Sequence, residues 1–298
     1  MLFRSILASI PSPDISYFDV GPVRIHIYAL CILTGIVLAT VIANRRLTKR
    51  GAESGVAIDI ALWAVPFGII GGRIFHVLTH LGDYFYEGAD FTAIFRIWEG
   101  GLAIYGALAF GTLGAWLGAR FAGVRFWSFV DAVAPGVLLA QAIGRFGNYF
   151  NKELFGTPTT LPWGLEIPAD NPAYPLGLPA GELFHPTFLY ESLWSLAGVA
   201  LLLTLDKKFE LRWGKMFALY LAFYSVGRIW TESLRIDPSD IVLGLRTNIW
   251  SALVGIVAAV VIWQVQSRRH PGLETSVYVP GKEPKTAVET AIKVDSEA

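Results

Sequence analysis

Residues 141–156 place an arginine, two amides and a carboxylate where a long apolar run ends. The side chains are those of Arg145, Asn148, Asn151 and Glu153. A charged side chain at the centre of a membrane costs roughly 2.5–3.5 kcal/mol on insertion scales, so an arginine within an apolar segment is by default a functional-site hypothesis. A guanidinium stays charged and donates two parallel hydrogen bonds, which suits it to binding phosphate. The stretch therefore predicts a site for an anionic group.

A second set of polar residues follows the same logic near residue 230. Arg228, Glu232 and Arg235 are spaced i, i+4 and i+7, with Tyr224 one turn earlier, so a helix would place all four on one face. Arg145 and Arg228 would then form a pocket for an anion between two helices. The alternative for Arg228 and Glu232 is that they only pair and lock the helix. The alternative for Arg235 is that its side chain only extends to the membrane surface.

The composition identifies the elements that must position these residues. The chain of 298 residues is 54% hydrophobic and only 16% charged, whereas a soluble domain has about 25% charged residues. A membrane-spanning helix needs about 20 mostly apolar residues. Seven segments meet this condition: 24–43, 56–78, 101–121, 127–147, 186–205, 214–232 and 248–266. The expected fold is an all-α integral membrane protein with seven transmembrane helices.

The expected domain organisation has three parts. Residues 1–23 form an arm lying in the membrane interface, with its apolar side chains on one face. Residues 24–266 form the seven-span domain, whose long proline-rich outer loop, about 148–185, is a candidate lid or docking surface. Residues 267–298 are polar and poor in aromatics, which predicts a disordered cytoplasmic tail.

Lysine and arginine accumulate in cytoplasmic loops, and here they occupy alternate connections. The cations are Arg45, Arg46, Lys49 and Arg50, then Arg120 and Arg125, then Lys207, Lys208, Arg212 and Lys215, and finally Arg268 and Arg269. This pattern places the N-terminus outside and the C-terminus inside, with every candidate site residue toward the outer leaflet. A channel or proton pump would instead need polar residues through the full thickness of the membrane. The formal net charge is zero, and nothing suggests nucleic acid as a partner.

Other residues that could do chemistry are interpreted as structural. Cys31 is the only cysteine, which excludes an internal disulfide, and it is expected to be a small buried side chain. His76 and His80 have a metal-ligand spacing but no third ligand nearby, so no metal is predicted. Two pairs of glycines are expected to let helices pack closely: Gly68 with Gly72, and Gly114 with Gly118.

Residues 144–156, Gly-Arg-Phe-Gly-Asn-Tyr-Phe-Asn-Lys-Glu-Leu-Phe-Gly, closely resemble the signature of the bacterial prolipoprotein diacylglyceryl transferases, a family of seven-span membrane enzymes. The resemblance extends in order over about residues 20–266. Its further stretches are Gly71-Gly72-Arg73, residues 98–102, His185-Pro186-Thr187, Leu189-Tyr190-Glu191, and Gly227-Arg228 through Glu232 to Arg235.

The resemblance implies transfer of the diacylglyceryl group of phosphatidylglycerol to the lipobox cysteine of a prolipoprotein, with release of glycerol phosphate. This would be the first step of lipoprotein maturation, at the outer leaflet of the bacterial cell membrane and without a cofactor. It implies that Arg145 and Arg228 hold the phosphate. It also implies that the donor site uses a further set of residues: Tyr28, Arg73, Asn148, Asn151, Glu153, Gly156, His185, Tyr224 and Arg235.

The sequence departs from the family pattern at two positions. Many members carry a histidine where this chain has Tyr105, and a glycine where it has Lys152. A phenol, with an ordinary pKa of about 10, is a poor base at neutral pH, so Tyr105 is expected to orient the donor or bind a phosphate oxygen. The remaining candidates for removing the thiol proton are Glu232 and water at the outer surface.

Two other classes of protein can be compared with this prediction. A transporter or flippase of an anionic lipid or solute would also use the arginines, but it needs a polar path to the cytoplasmic side that the sequence does not show. An intramembrane protease needs a serine and histidine, or a metal cluster, within the spans, and neither is present.

Overall fold

The computed structural model describes residues 9–284, which form seven helices of 18 or more residues. These are α1 (Ile27–Lys49), α2 (Val56–Thr79), α4 (Ile104–Phe121), α5 (Phe126–Phe150), α6 (Thr187–Phe209), α7 (Lys215–Glu232) and α8 (Thr247–Arg269). Between α2 and α4 lie the one-turn helix α3 (Leu81–Tyr84) and two 3₁₀ turns, Phe91–Phe95 and Ile97–Glu99.

Three short antiparallel hairpins precede or connect these helices. They pair β1 (Tyr17–Val20) with β2 (Val23–His26), β3 (Leu165–Glu166) with β4 (Leu183–Phe184), and β5 (Ile241–Val242) with β6 (Leu245–Arg246). In the first hairpin Tyr17 lies opposite His26, and Val20 lies opposite Val23. The fold is helical apart from these ribbons.

Five helices, α1, α2, α5, α6 and α8, are long and apolar enough to cross a membrane. Large apolar side chains on the helices point outward, including Leu62, Leu78 and Val254, which are 68%, 63% and 66% exposed. Large exposed apolar side chains along several helices are typical of a protein that contacts lipid. The prediction of a helical integral membrane protein is confirmed.

The predicted segments agree with the helices best where turn residues bound them. Segments 56–78 and 214–232 match α2 and α7 to within one residue at each end. The prediction for residues 24–43 is shifted, because Val23–His26 pair with β1 and delay the start of α1 to Ile27. Since α1 continues to Lys49, Arg46 and Lys49 lie in its last turn, where cations interact favourably with the helix dipole.

The described chain divides into two compact units. The first contains residues 9–42 and 133–273, and the second contains residues 43–132 and 274–284. The core of the first unit joins α5, α6 and α7. Its fully buried side chains are Ala134, Leu138, Leu202 and Met216.

The outer loop of the first unit folds around a small core of its own. Phe155, Leu165, Ile167 and Phe184 are buried there, and Ile10 packs against them. The backbone of Ile10 is bonded on both sides, donating to Gly164 O at 2.9 Å and accepting from Glu166 N at 2.9 Å. Within the expected interfacial arm, Ile10 thus pairs with the outer loop and Tyr17–Val20 form β1, while the position of the arm in the membrane interface stays a prediction. Residues 1–8 lie outside the described residues.

In the second unit α2 and α4 pack through glycines, as the sequence predicted. A Cβ atom on Gly114 would lie 2.6 Å from Trp63 O, and one on Gly118 would lie 2.9 Å from the Cα of Ile60. Gly68 and Gly72 also face α4, with nearest neighbours at 3.5 and 3.4 Å. Small residues at such contacts allow two backbones to approach closely.

We expect Gly106→Ala to destabilise the second unit, because its Cβ would lie 2.3 Å from Gly71 O and 2.4 Å from the Cβ of Phe75. Overpacking of this kind costs about 1–3 kcal/mol. Gly111→Ala is the matched control on the same helix, since its Cβ would meet nothing closer than 3.6 Å. The check is thermal unfolding of both variants in detergent, and equal melting temperatures would contradict the packing argument.

The described part of the predicted tail packs within the second unit, and its cytoplasmic position stays a prediction. Residues 274–282 form a strap in the second unit, in which Val277 and Tyr278 are 2% and 3% exposed. Arg125 N donates to Val277 O at 2.8 Å, and Arg50 pairs with Glu274 at 3.1 Å. The average composition of the tail conceals this apolar Val-Tyr-Val stretch. Residues 285–298 of the predicted tail lie outside the described residues.

We expect Tyr278→Phe to lower the stability of the strap, because the Tyr278 hydroxyl accepts a hydrogen bond from Glu53 N at 2.9 Å. The loss of one such bond costs about 0.5–1.5 kcal/mol. Tyr86→Phe is a control on a side chain that is 60% exposed. Proteolysis at the C-terminus and thermal unfolding measure the effect, and identical behaviour of the two variants would argue against it.

Candidate active site

The C-terminal end of α5 orients Arg145 through a chain of hydrogen bonds. Arg145 Nη1 donates to Asn148 Oδ1 at 3.2 Å, and Asn148 Nδ2 donates to Glu153 Oε1 at 2.8 Å. Asn151 Nδ2 reaches the same oxygen of Glu153 at 3.3 Å. Asn148 itself is buried, with 6% of its surface exposed. The amides and the carboxylate of the predicted motif thus act together to hold the guanidinium.

The backbone after α5 explains why a glycine suits position 152, where this chain has Lys152. Lys152 has a φ of 54° and Leu154 a φ of 58°, both in the left-handed region that favours glycine. The turn is closed by Glu153 N, which donates to Asn148 O at 3.1 Å. A glycine at position 152 would adopt this turn without strain, so the structure explains the family preference by backbone conformation.

The second turn of α6 places Glu191 between two arginines. Glu191 Oε2 lies 2.6 Å from Arg145 Nη2 and 3.7 Å from Arg228 Nη1. Glu191 is 8% exposed. The sequence prediction omitted Glu191 from the site, although its position at the start of an apolar segment put it at the same depth as Arg145. The need of two partly buried arginines for a counter-ion was the signal that could have found it.

A second carboxylate continues the series of charges. Glu232 Oε2 lies 2.8 Å from Arg228 Nη2, and Glu232 Oε1 accepts from Arg246 Nε at 2.6 Å and from Asn248 Nδ2 at 3.0 Å. Glu232 is 1% exposed. Together with Glu191, these residues form what we term the charge relay of alternating arginines and glutamates. Its members are Arg145, Glu191, Arg228, Glu232 and Arg246.

One donor in the charge relay has no hydrogen-bond partner. Arg228 Nη1 is buried and makes no hydrogen bond within the described part of the chain. Within residues 9–284 this Nη1 lies 3.7 Å from Glu191 Oε2. A buried donor without a partner loses its hydration and costs free energy. The arrangement therefore has an unused donor directed at the position between the two arginines.

Arg235 is buried and paired, so it does not simply extend to the membrane surface. It is 7% exposed, and its Nε donates to Asp237 Oδ1 at 2.6 Å. Burial acts against its charge, but the hydrogen bond to Asp237, with the attraction of Asp237, Glu191 and Glu232, raises the pKa of Arg235. Arg246 Nη2 donates to Asp237 O at 2.9 Å, which links Arg235 to the charge relay.

Gly156 joins the outer loop to two other elements of the first unit. Its N–H donates to His185 O at 2.9 Å, and a Cβ there would lie 2.8 Å from the Cβ of His185 and 2.9 Å from Leu234 O. The His185 side chain lies 3.2 Å from the Tyr190 hydroxyl. That hydroxyl also accepts a hydrogen bond from Trp163 Nε1 at 3.2 Å. Only glycine allows this close approach.

The two predicted tyrosines of the first unit lie on the helices that carry or adjoin the arginines. Tyr28, at the start of α1, packs on Gly147, whose Cβ would lie 2.4 Å from the Cδ2 of Tyr28. Tyr224 lies on α7 one turn before Arg228, and its ring stacks on that of Tyr220 at 6.2 Å.

Arg73 and Tyr105 belong to the second unit. Arg73 is 8% exposed and donates to four backbone carbonyls, those of Ala93, Ile94, Gly100 and Gly101, at 2.6–3.0 Å. Its guanidinium thus holds the segment that leads into α4. Tyr105 lies in the first turn of α4 and is 44% exposed.

Within residues 9–284 no three side chains of the types that bind metals come together. His76 and His80 instead stack their rings, with centroids 4.4 Å apart. The predicted absence of a metal and a cofactor stays a prediction.

The fold and the site define a class: a helical membrane protein with a buried cluster of arginines and carboxylates. The sequence matches the family model described as Prolipoprotein diacylglyceryl transferase over residues 16–265. A protein of Leifsonia xyli subsp. xyli named phosphatidylglycerol–prolipoprotein diacylglyceryl transferase is 53% identical, covering 96% of this chain and 90% of its own. A relative of the same name from Paenarthrobacter aurescens is 50% identical, covering 87% of this chain and 84% of its own. The protein named phosphatidylglycerol–prolipoprotein diacylglyceryl transferase 2 of Streptomyces coelicolor is 48% identical, covering 92% of this chain and 86% of its own.

The chain belongs to the prolipoprotein diacylglyceryl transferase family. The resemblance found in the sequence is therefore confirmed over nearly the whole described chain.

Proposed function

We propose that this protein transfers the diacylglyceryl group of phosphatidylglycerol to the lipobox cysteine of signal-peptide-bearing prolipoproteins. The cysteine sulfur attacks the glyceryl carbon bonded to the phosphate, a thioether forms, and glycerol phosphate leaves with the electrons of the broken C–O bond. The names of the relatives support both substrates. No cofactor is needed for this displacement.

The convergence of Arg145 and Arg228 on one anionic position is the observation that carries this proposal. Their guanidiniums come from α5 and α7 and meet at Glu191 Oε2, at 2.6 and 3.7 Å. Charge on the phosphate grows as the C–O bond breaks. Fixed donors aimed at developing charge stabilise the transition state. The two arginines are thus assigned to the lipid phosphate.

The remaining candidate residues are assigned around these arginines. Asn148, Asn151 and Glu153 orient Arg145, while Glu232 orients Arg228. Other residues are assigned to the donor site: Tyr28, Gly156, His185, Tyr224 and Arg235. Arg73 and Tyr105 belong to the second unit and stay predicted candidates.

We further propose that all seven long helices span the bacterial cell membrane, with residues 24–266 as the catalytic domain. The charge relay comes from the C-terminal ends of α5 and α7, the N-terminal end of α6, and Arg246, the residue that directly precedes α8. Helices that alternate in direction bring these ends to one side. The loop cations then place that side at the outer leaflet, with the N-terminus outside and the C-terminus cytoplasmic.

The test is incubation of the purified protein in micelles with phosphatidylglycerol and a lipobox peptide, followed by mass spectrometry. We expect a diacylglyceryl increment on the peptide and release of glycerol phosphate. A peptide with serine in place of cysteine and a zwitterionic phospholipid are the controls. A folded protein that leaves the peptide unmodified but moves phosphatidylglycerol across vesicles would support the transporter alternative, which the relatives' names do not favour.

A further inference from the structure

We propose that Glu191 occupies the phosphate position while the site is empty and accepts the proton of the substrate thiol once the lipid is bound. This inference rests on the proposed transfer reaction. It assigns a role to a residue that the sequence prediction left out of the site, and it supplies the base that Tyr105 is poorly suited to be.

The contacts of Glu191 show why its position suits a phosphate. Its two ion pairs within the described part of the chain both use one oxygen, Oε2, at 2.6 Å from Arg145 and 3.7 Å from Arg228. A phosphodiester carries the same single negative charge as this carboxylate. Because Glu191 is nearly buried, an anion that binds both guanidiniums must displace or share its oxygen.

The unused donor of Arg228 shows on which side the exchange occurs. Arg228 Nη2 is 2.8 Å from Glu232, whereas Nη1 has no hydrogen bond and faces Glu191. A phosphate oxygen can approach Nη1 without breaking the contact to Glu232. Phosphate binding therefore gives Arg228 Nη1 a hydrogen-bond partner. It also replaces Glu191 as the partner of Arg145 Nη2.

The second carboxylate of the charge relay is held much more firmly. Glu232 uses both oxygens, one toward Arg228 and the other toward Arg246 and Asn248. Taking up a proton would weaken its ion pair with Arg228 or break its hydrogen bond from Arg246. Glu191 is held through one oxygen and is released by the lipid itself, so it is the better proton acceptor of the two.

The step balances as follows. Glu191, freed from Arg145, takes the proton of the cysteine thiol while the sulfur attacks the glyceryl carbon. The C–O bond breaks, its electron pair stays on the phosphate oxygen, and Arg145 and Arg228 stabilise the added charge. When glycerol phosphate leaves, Glu191 gives its proton to water and returns to the arginines.

The test compares Glu191→Gln with wild type and with Glu182→Gln, a carboxylate of the outer loop. Binding of phosphatidylglycerol in micelles, by calorimetry, should be tighter in Glu191→Gln because no competing charge remains between the arginines. Transfer to the lipobox peptide should fall by about 10²–10⁴-fold, the range typical of a lost general base. Glu182→Gln should match wild type in both measurements.

The pH dependence separates loss of a base from structural damage. A free thiol has a pKa of about 8.5, so the residual rate of Glu191→Gln should rise nearly tenfold per pH unit up to that value as thiolate forms unaided. The charged groups around Glu191 are Arg145, Arg228, Arg235 and, beyond Arg228, Glu232. The three arginines keep their charge over this range, so they do not produce such a slope.

The possible failures are distinguishable. Wild-type protein that never modifies the peptide overturns the proposed transfer itself. Wild-type protein that is active, together with a Glu191→Gln variant of equal activity, overturns the role of Glu191 alone. Weaker or unchanged lipid binding in Glu191→Gln overturns its occupation of the phosphate position, and a pH profile parallel to that of wild type overturns its role as proton acceptor.

Discussion

Arg228→Ala should lower the rate of diacylglyceryl transfer by about 10²–10³-fold, the usual loss when one fixed donor to a developing negative charge is removed. The reason is geometric, because Arg228 Nη1 is a buried donor that makes no hydrogen bond within the described part of the chain. Its contribution is largest when charge on the leaving phosphate is largest. The fall should therefore appear mainly in kcat, with a smaller change in the affinity for phosphatidylglycerol.

Two further variants make this prediction specific. Arg228→Lys keeps the charge but loses the second donor of the guanidinium fork. Its transfer rate should therefore lie between those of Arg228→Ala and wild type. Arg212→Ala is the control near the opposite end of α7, where Arg212 pairs with Asp206 at 2.6 Å. Steady-state rates with a lipobox peptide measure the effect. An Arg228→Ala variant as active as Arg212→Ala would remove Arg228 from the phosphate site.

The sequence predicted the helices well because each is a long, mostly apolar run bounded by polar or turn residues. It also predicted Arg145, Asn148 and Glu153 as parts of one candidate site, and their closeness in the chain brings them into hydrogen-bond contact regardless of the rest of the fold. The glycine contacts between α2 and α4 followed from spacing as well. These features depend on local periodicity.

Features that depend on distant partners were not predictable in the same way. The spacing placed Glu232 on the same helix face as Arg228, but its contacts to Arg246 and Asn248 arise only when α7 and α8 come together. The bridging position of Glu191 likewise needs three helices. The strap at residues 274–282 was missed because two buried side chains, Val277 and Tyr278, are enough to dock a segment whose average composition is polar.

We expect Glu232→Ala to destabilise the first unit strongly, by about 3–5 kcal/mol, the usual cost of removing one partner from a buried ion pair. Glu232 is 1% exposed and neutralises Arg228 and Arg246 at once. Without it the partly buried guanidiniums of Arg228 and Arg246 lose the carboxylate that contacts both. Thermal unfolding in detergent measures the loss, and Asp19→Ala is the control, since its ion pair with Arg24 is exposed and should contribute little.

A comparison of Glu232→Ala with Glu232→Gln separates the structural role of this residue from a catalytic one. The amide oxygen of glutamine can still accept from Asn248 and Arg246, so Glu232→Gln should recover part of the stability. If Glu232 only holds Arg228 in place, transfer activity should recover together with stability. If it were the base instead, Glu232→Gln would fold normally and stay inactive, and that outcome would return the role of proton acceptor from Glu191 to Glu232.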